Sequence, residues 1–503
     1  MQNLREVSSV LPILVFLVPV GFACLIFALG LVHRIFREGL ALLGMLVTFA
    51  ISIVISMQVM GGDLLVAWNG NIYVDGLSAL MEVLGSGLGI IILCYSMKYM
   101  THHQIGMPLN PWRHTYYYAL LVLFVGTLNW TCATNNLIMM WVSLEATTLT
   151  SAFLVTFYWQ RESMEAGYKY LLLVSVGVTL ALLGCVLIYA AAIPLLPGQN
   201  VLLLTEIGKV AQLMPESVVL IACAMFVAGF GTKAGLVPFH AWLPDAHAEA
   251  PVPISALLSG IVIKIGAYAL ARTVTIFAPH YGAVVTFVAI LASISMVIGI
   301  VMALVQDDLK RLLAYSSISQ ISYVIEGLGL GTYLGIYGGL FHLVNHTIVK
   351  ALLFLCAGAL MYVTGTRKIS ELGATAKKMP IVAFCFFVGA LAIGGVPPFN
   401  CFMSKLTLFI ALADRGLLWA AIIGIATGLL TVACFVWAIY RIFWKKPVIT
   451  SNPGIAVKKV PFIMQASIMV LALASILLGI YPQLLYPMLN GATNSILRIL
   501  GGT

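Results

Sequence analysis

Charge is what this sequence has least of. Only 9% of its 503 residues are Asp, Glu, Lys or Arg, too few to cover a water-soluble protein of this length. Its nine cysteines (24, 94, 132, 185, 223, 356, 385, 401 and 434) are scattered through apolar stretches. None forms a Cys-x-x-Cys pair or a Cys/His cluster of metal-ligand spacing, so an iron-sulfur centre, a c-type haem and a structural zinc are not expected. No Gly-x-Gly-x-x-Gly opens a helix after a strand and no Walker A sequence occurs, which leaves nucleotide hydrolysis and hydride transfer without a site. No cofactor is therefore expected. Energy for any transport would come from an ion gradient or from a partner.

What the chain has instead is apolar length, with 62% of its residues hydrophobic. Stretches of about 20 apolar residues, enough to cross a hydrocarbon core of about 30 Å, recur at 8–32, 39–59, 77–97, 115–133, 135–157, 168–192, 217–243, 251–277, 282–304, 310–330, 333–362, 380–411, 416–443 and 460–486. The expectation is an all-α polytopic membrane protein with about fourteen transmembrane helices. The first stretch lacks a small-residue cleavage site followed by a soluble body, so it reads as a retained helix. No intervening loop is large enough for a separate domain.

An excess of basic residues could suggest nucleic acid, but their placement points to topology. Of 26 Lys and Arg, 17 fall in or beside loops after odd-numbered stretches: Arg34, Arg37, Lys98, Arg113, Arg161, Lys169, Lys310, Arg311, Arg367, Lys368, Lys377, Lys378, Arg441, Lys445, Lys446, Lys458 and Lys459. Five (Arg5, Lys209, Arg272, Arg415 and Arg498) fall on the other side. By the positive-inside rule the odd loops face the cytoplasm and both termini face outward.

Four lysines, Lys233, Lys264, Lys350 and Lys405, lie within apolar stretches, where an ionisable group needs partners or a wet path. Glu145, Glu82 and Glu326 also lie within apolar stretches, and Asp245, His247 and Glu249 form a polar turn in WLPDAHAEAP. Glu145 and Lys233 read either as an ion pair stapling two helices or as an adjustable pair, since an opposite charge favours the charged form and burial disfavours it. In FHLVNHTIVK, residues 341 to 350, His342, His346 and Lys350 are four apart, a stripe along one helix face spanning about 12 Å. His-x-x-x-His without a nearby carboxylate is a poor metal signal, whereas neutral imidazole accepts on one nitrogen and donates from the other, as a proton relay requires. Lys264, flanked by isoleucines, is hard to explain structurally. Lys405, closer to a helix break, also reads as a capping cation.

The breaks themselves repeat. GLVPFHAW in the seventh stretch and GVPPFNCF in the twelfth align Gly235 with Gly395 and Pro238-Phe239 with Pro398-Phe399, with Pro397 alongside. Proline removes a donor and glycine loosens the turn, so both helices are expected to be discontinuous. Stretches five apart run in opposite directions, which makes a five-helix repeat inverted, an architecture that handles ions near the membrane midplane.

SLEATTLTSAFLV, GFGTKAGLVPFHAWLPDAHAEAPVPISALLSGIVIKIGAY, DDLKRLLAYSSISQ, FHLVNHTIVKALLFL and GGVPPFNCFMSK resemble the antiporter-like subunits shared by respiratory complex I, the energy-converting membrane-bound hydrogenases and the multi-subunit sodium/proton antiporters. The wording around Glu145 and Lys233 is most similar to the component F subunit of hydrogenase-4 type complexes. The resemblance runs from about 75 to 445. It implies two inverted repeats, helices 4–8 (residues 115–277) and 9–13 (278–445), between N-terminal helices 1–3 (1–114) and a C-terminal helix 14 with its tail (446–503). It further implies a proton or sodium path in which Glu145 and Lys233 are the coupling pair and Lys264 the bridge. His342, His346 and Lys350 are then the second relay and Lys405 the terminal residue, where some relatives carry glutamate. Further pathway candidates are His240, Asp245, His247, Glu249 and Glu326.

On this resemblance the chain has no catalytic centre of its own and is the ion-pumping subunit of an oxidoreductase complex in a bacterial or archaeal cytoplasmic membrane. Its partners are other membrane subunits, redox or other soluble-arm subunits and the lipid bilayer, with no nucleic acid. A cation/proton antiporter without a redox partner and an ion-coupling subunit of an inorganic carbon importer are the alternatives. The chain stops soon after the fourteenth stretch, without the long lateral helix of the distal complex I subunit, which suggests an inner or single-antiporter position in its complex.

Overall fold

Hydrophobic length becomes helix almost everywhere. The computed structural model describes residues 5–101, 110–445 and 459–499, so Lys446 and Lys458 of the basic set lie outside the described residues. Strand β1 (Arg5–Ser8) leads into helices α1 (Leu11–Leu29) and α2 (Arg34–Met60). Strands β2 (Asp63–Ala67) and β3 (Ile72–Val74) follow, β1 pairing parallel with β2 and β2 antiparallel with β3. The chain continues through α3 (Gly76–Tyr99), α4 (Pro111–Ala133), α5 (Leu137–Val155), α6 (Arg161–Ala192), the short α7 (Leu204–Val210), α8 (Glu216–Ala234) and α9 (Trp242–Glu249). Then come α10 (Val252–Leu257), α11 (Ile263–Phe277), α12 (Gly282–Leu304), α13 (Leu309–Gly329) and α14 (Tyr333–Thr364). The last are α15 (Pro380–Gly394), α16 (Asn400–Asp414), α17 (Leu418–Ile439), α18 (Phe462–Ile480) and α19 (Tyr486–Ile499).

Helix starts follow local chemistry. Asp75, Asn136 and Asp308 accept from the first free amides of α3, α5 and α13, and prolines occupy the first turns of α4 and α15, where the missing N–H costs nothing. Apolar side chains such as Leu172, Val176, Leu429 and Leu473 stand exposed on the perimeter, as a bilayer solvent requires.

Among the described residues, twelve helices are long and apolar enough to cross a membrane, against the fourteen expected. The difference has two causes. Helix α13 is 21 residues long but polar, and Ser316, Ser317, Ser319, Gln320, Ser322 and Glu326 are all buried inside the protein. The stretch 380–411 is divided into α15 and α16, each 15 residues long. The stretch 460–486 also ends early. Helix α18 stops at Ile480, and α19 follows as an amphipathic helix burying Leu489, Ala492 and Ile496.

Both expected breaks are present. Helix α8 ends at Gly235 (φ 82°, ψ 30°) and α15 at Gly395 (φ 83°, ψ 37°), left-handed conformations that glycine adopts without a Cβ clash. The Val237–Pro238 and Pro397–Pro398 bonds are cis. A single π turn, Leu258–Val262, joins α10 to α11 immediately before Lys264.

Two basic residues assigned to loops from sequence are interior. Arg272 is 3% exposed and Lys310 is 2% exposed. The sheet, α7 and α19 gather at one end of the bundle, where Asn135 bonds both Gly70 and Thr205. Asp245, Glu249, Asp308, Arg311 and Arg367 are joined by ion pairs at the other.

Candidate functional site

The four lysines found in apolar stretches are all buried, Lys233, Lys264 and Lys350 completely. Lys233, in the last turn of α8, donates to the carbonyl of Leu144 (2.8 Å) and to Oγ1 of Thr148 (2.6 Å) on α5. Its expected partner Glu145 does not touch it. That carboxylate is half-buried and accepts from Ser175 Oγ of α6 at 3.0 Å. No ion pair joins the two. The open end of α8 is closed by Trp242, whose indole N–H donates to Thr232 O at 2.8 Å.

Helix α11 passes close to α8 because Gly266 lies there; a Cβ on it would sit 2.6 Å from the amide nitrogen of Ala234. Lys264 donates to the carbonyl of Ser259 within the π turn. The hydroxyl of that serine lies 2.8 Å from Ser317 Oγ on α13. The neighbouring Ser316 receives Lys350, which also donates to Leu313 O at 2.9 Å. Two adjacent serines of α13 thus connect the lysines of α11 and α14. The sequence reading quoted these serines but gave them no role.

Beyond Lys350 the stripe on α14 is as spaced in sequence. The rings of His346 and His342 are parallel with centroids 6.1 Å apart. Neither ring nitrogen of His346 has a hydrogen-bond partner, nor has Nε2 of His342, while Nδ1 of His342 is 3.0 Å from Ser404 Oγ. Next to Ser404, Lys405 donates to Ile393 O (2.9 Å) and Gly394 O (3.3 Å), the carbonyl end of α15. Tyr323 stands between the two sites, its ring 5.5 Å from that of His342 and 5.1 Å from the Lys405 ammonium. Glu326, 2% exposed, accepts from Ser293 at 3.3 Å on the same side.

The secondary candidates separate. Asp245 is engaged by Arg311 (2.6 Å) and Lys169 (3.4 Å), and Glu249 by Arg367 (3.0 Å), in partly exposed ion pairs. His240 is half-buried, its Nδ1 unpartnered, beside the break of α8. His247 is fully buried, stacked on Phe354 at 4.7 Å, with both ring nitrogens unpartnered. Of these groups Glu249 borders a cavity of about 390 Å³ that is also lined by Gln160, Lys310 and Arg367. Lys310 closes the carbonyl end of α9, donating to Ala248 O (3.0 Å) and Ala250 O (2.6 Å).

One buried cation has a carboxylate. Arg272 binds Asp75 through Nη1 (2.7 Å) and Nη2 (2.6 Å), a bidentate pair with both partners in the interior. Sequence reading put Arg272 outside the membrane and gave Asp75 no role, and neither hydropathy nor spacing marks the pair.

Residues 134–431 match the family described as NADH:quinone oxidoreductase/Mrp antiporter, TM. The chain belongs to that family. Residues 65–108 match the related description NADH-ubiquinone oxidoreductase (complex I), chain 5 N-terminus. Among relatives of this antiporter-like family, the chain is 33% identical over 362 residues to the hydrogenase-4 component F homolog of Methylacidiphilum infernorum, covering 71% of this chain and 75% of that protein. It is 31% identical over 431 residues to NADH-quinone oxidoreductase subunit N of Desulforudis audaxviator, with 83% of each covered. The fold is similar to a chain of the archaeal membrane-bound sulfane sulfur reductase (TM-score 0.87, 25% identity, 98% of this chain and 99% of that one). It is also similar to a chain of the Mrp complex from Dietzia sp. DQ12-45-1b (TM-score 0.85, 23% identity, 98% and 99%). The chain is an antiporter-like membrane subunit whose relatives belong to multi-subunit complexes.

Proposed function

We propose that this subunit translocates protons along the line Glu145, Lys233, Lys264, His346, His342 and Lys405, with Lys350 as a charge store beside it. The observation that carries this reading is the acceptor set of the four buried lysines. All of it is neutral, made of backbone carbonyls and Ser or Thr hydroxyls. A permanent interior cation is given a carboxylate, as Arg272 is given Asp75. Lysines without one need no counter-charge when the proton leaves, which suits groups that gain and lose it. Proton uptake is assigned to the cavity lined by Glu249, Lys310 and Arg367. Glu249, held by Arg367, lines that mouth; His240, Asp245 and His247 are assigned to the approach on and before α9, and Glu326 to the far end near Lys405.

The segment division 1–114, 115–277, 278–445 and 446–503 belongs to the same proposal, with the two middle segments as inverted repeats. The matched backbone at Gly235 and Gly395 supports it. The cytoplasmic placement of the odd loops and the outward termini are proposed with it on the bias of basic residues, in a bacterial or archaeal cytoplasmic membrane. We place it in an assembly with redox subunits, of the hydrogenase or complex I type, as two of the relatives are, with an antiporter without a redox partner as the alternative that other relatives match. The test is proton flux by the purified complex in sealed vesicles, with its co-purifying chains identified. Nickel or iron-sulfur subunits and proton uptake driven by their substrate support the reading. A complex that assembles and moves no protons, or only sodium, refutes it.

A further inference from the structure

Between α3 and α11 runs a second line of polar groups that the pathway above does not use. On α11, Lys264, Tyr268 and Arg272 are four residues apart and share one face. Asp75 caps α3, and Ser78 and Glu82 follow at spacings of three and four. The two faces meet antiparallel. Arg272 clamps Asp75 and donates to Ser78 Oγ at 2.9 Å. Tyr268 OH lies 3.4 Å from the same Ser78 hydroxyl and donates to Cys132 O at 2.7 Å.

One step further, about 6 Å along each helix at 1.5 Å per residue, this register brings Glu82 to the level of Lys264. Contact beyond that point agrees, since a Cβ on Gly260 would lie 2.5 Å from Cδ2 of Leu88. Glu82 is 0% exposed, and neither of its carboxylate oxygens has a hydrogen-bond partner. A carboxyl group buried this way costs too much to be retained as packing and marks a place where a proton is held and released.

We propose that Glu82 is a proton-holding site on a side branch from Lys264, leading past Ser78 and Tyr268 to the sheet-bearing end and closed there by the Arg272–Asp75 clamp. This rests on the proton-transport reading above. In loading, the Lys264 ammonium gives a proton to the Glu82 carboxylate, leaving an amine and a carboxylic acid. In discharge, the acid gives that proton to the Ser78 and Tyr268 hydroxyls, each of which accepts one proton and releases another. The fixed charge of Arg272 opposes the passage of a proton while the clamp is shut. Helix α19 covers the outlet, with the Gly76 amide donating to Ser495 Oγ at 3.0 Å.

The test uses the intact complex in sealed vesicles carrying Glu82→Gln, Glu82→Asp, Tyr268→Phe or, separately, Lys350→Arg, with subunit abundance measured for each. The expected result is a several-fold loss of flux for Glu82→Gln, smaller than that of Lys350→Arg because the line to Lys405 remains. Glu82→Asp restores much of it because the carboxyl group remains, and Tyr268→Phe lowers flux at normal abundance. Wild-type flux in Glu82→Gln and Tyr268→Phe, with flux lost in Lys350→Arg, overturns the branch and leaves the main pathway standing. Equal loss in the Gln and Asp variants overturns the proton-holding role. Should Glu82→Gln fail to assemble, Tyr268→Phe decides by the same criterion. Wild-type flux in every variant overturns both readings.

Discussion

Lys233 meets α5 at the carbonyl of Leu144, 2.8 Å away and one residue short of Glu145, whose carboxylate is turned to Ser175 instead. Each side chain therefore keeps its own hydrogen bonds, and on the proposed pathway the two charges act on each other through space. Replacing Glu145 with glutamine preserves the bond from Ser175 and leaves both bonds of Lys233 in place. We expect Glu145→Gln to assemble normally, at a cost of no more than about 1 kcal/mol, and to lose most of its proton flux. Poor assembly with normal flux would restore the view of Glu145 as a staple.

Lys350 has one carbonyl and one hydroxyl for its three protons. Arginine keeps the positive charge but does not release its proton. Lys350→Arg and Lys350→Ala are both expected to assemble and to pump at background level, as measured by flux and abundance on the same membranes. Near-normal flux in the arginine variant would show that only charge is needed there.

The Arg272–Asp75 pair predicts a thermodynamic signature. Removing one partner strands the other charge in the interior, so Arg272→Met should cost roughly 3–5 kcal/mol. Thermal unfolding of the purified complex and subunit abundance will both fall. Asp75→Leu combined with Arg272→Met should recover a large part of the loss, and a double variant no better than the single would mean that the pair is not coupled.

Orientation is open to direct measurement. Lys368, Lys378, Lys209 and Arg415 are all exposed, and each can carry a single reporter cysteine in a cysteine-free background. An impermeant thiol reagent added to intact cells is expected to label positions 209 and 415 and to spare 368 and 378. The reverse pattern would invert the assigned topology.

How much of this the sequence announced follows from what hydropathy measures. A span facing lipid, such as α6 or α17, must be apolar and is visible as such. Helix α13 is wrapped by protein, so nothing requires it to be apolar, and its serines escape a hydropathy reading while joining two lysines. The repeat of four in His342, His346 and Lys350 is a property of one helix and was legible. The partners of those side chains come from other helices and were not. Depth was also invisible: Lys310 and Arg272 sit near helix ends in sequence, and only the packing of α9 around the first and α3 around the second shows them to be interior.

Lys405 belongs to α16, yet both of its hydrogen bonds go across the break to the last carbonyls of α15. Those carbonyls carry the negative end of the α15 dipole, equivalent to about half an elementary charge. On the proposed pathway, departure of the proton from Lys405 would remove the electrostatic attraction between the two half-helices, and its return would restore it. The occupancy of this one amine would then also be a mechanical variable, and a subunit packed against the α15–α16 joint would feel each charge as a change in the stiffness of its neighbour.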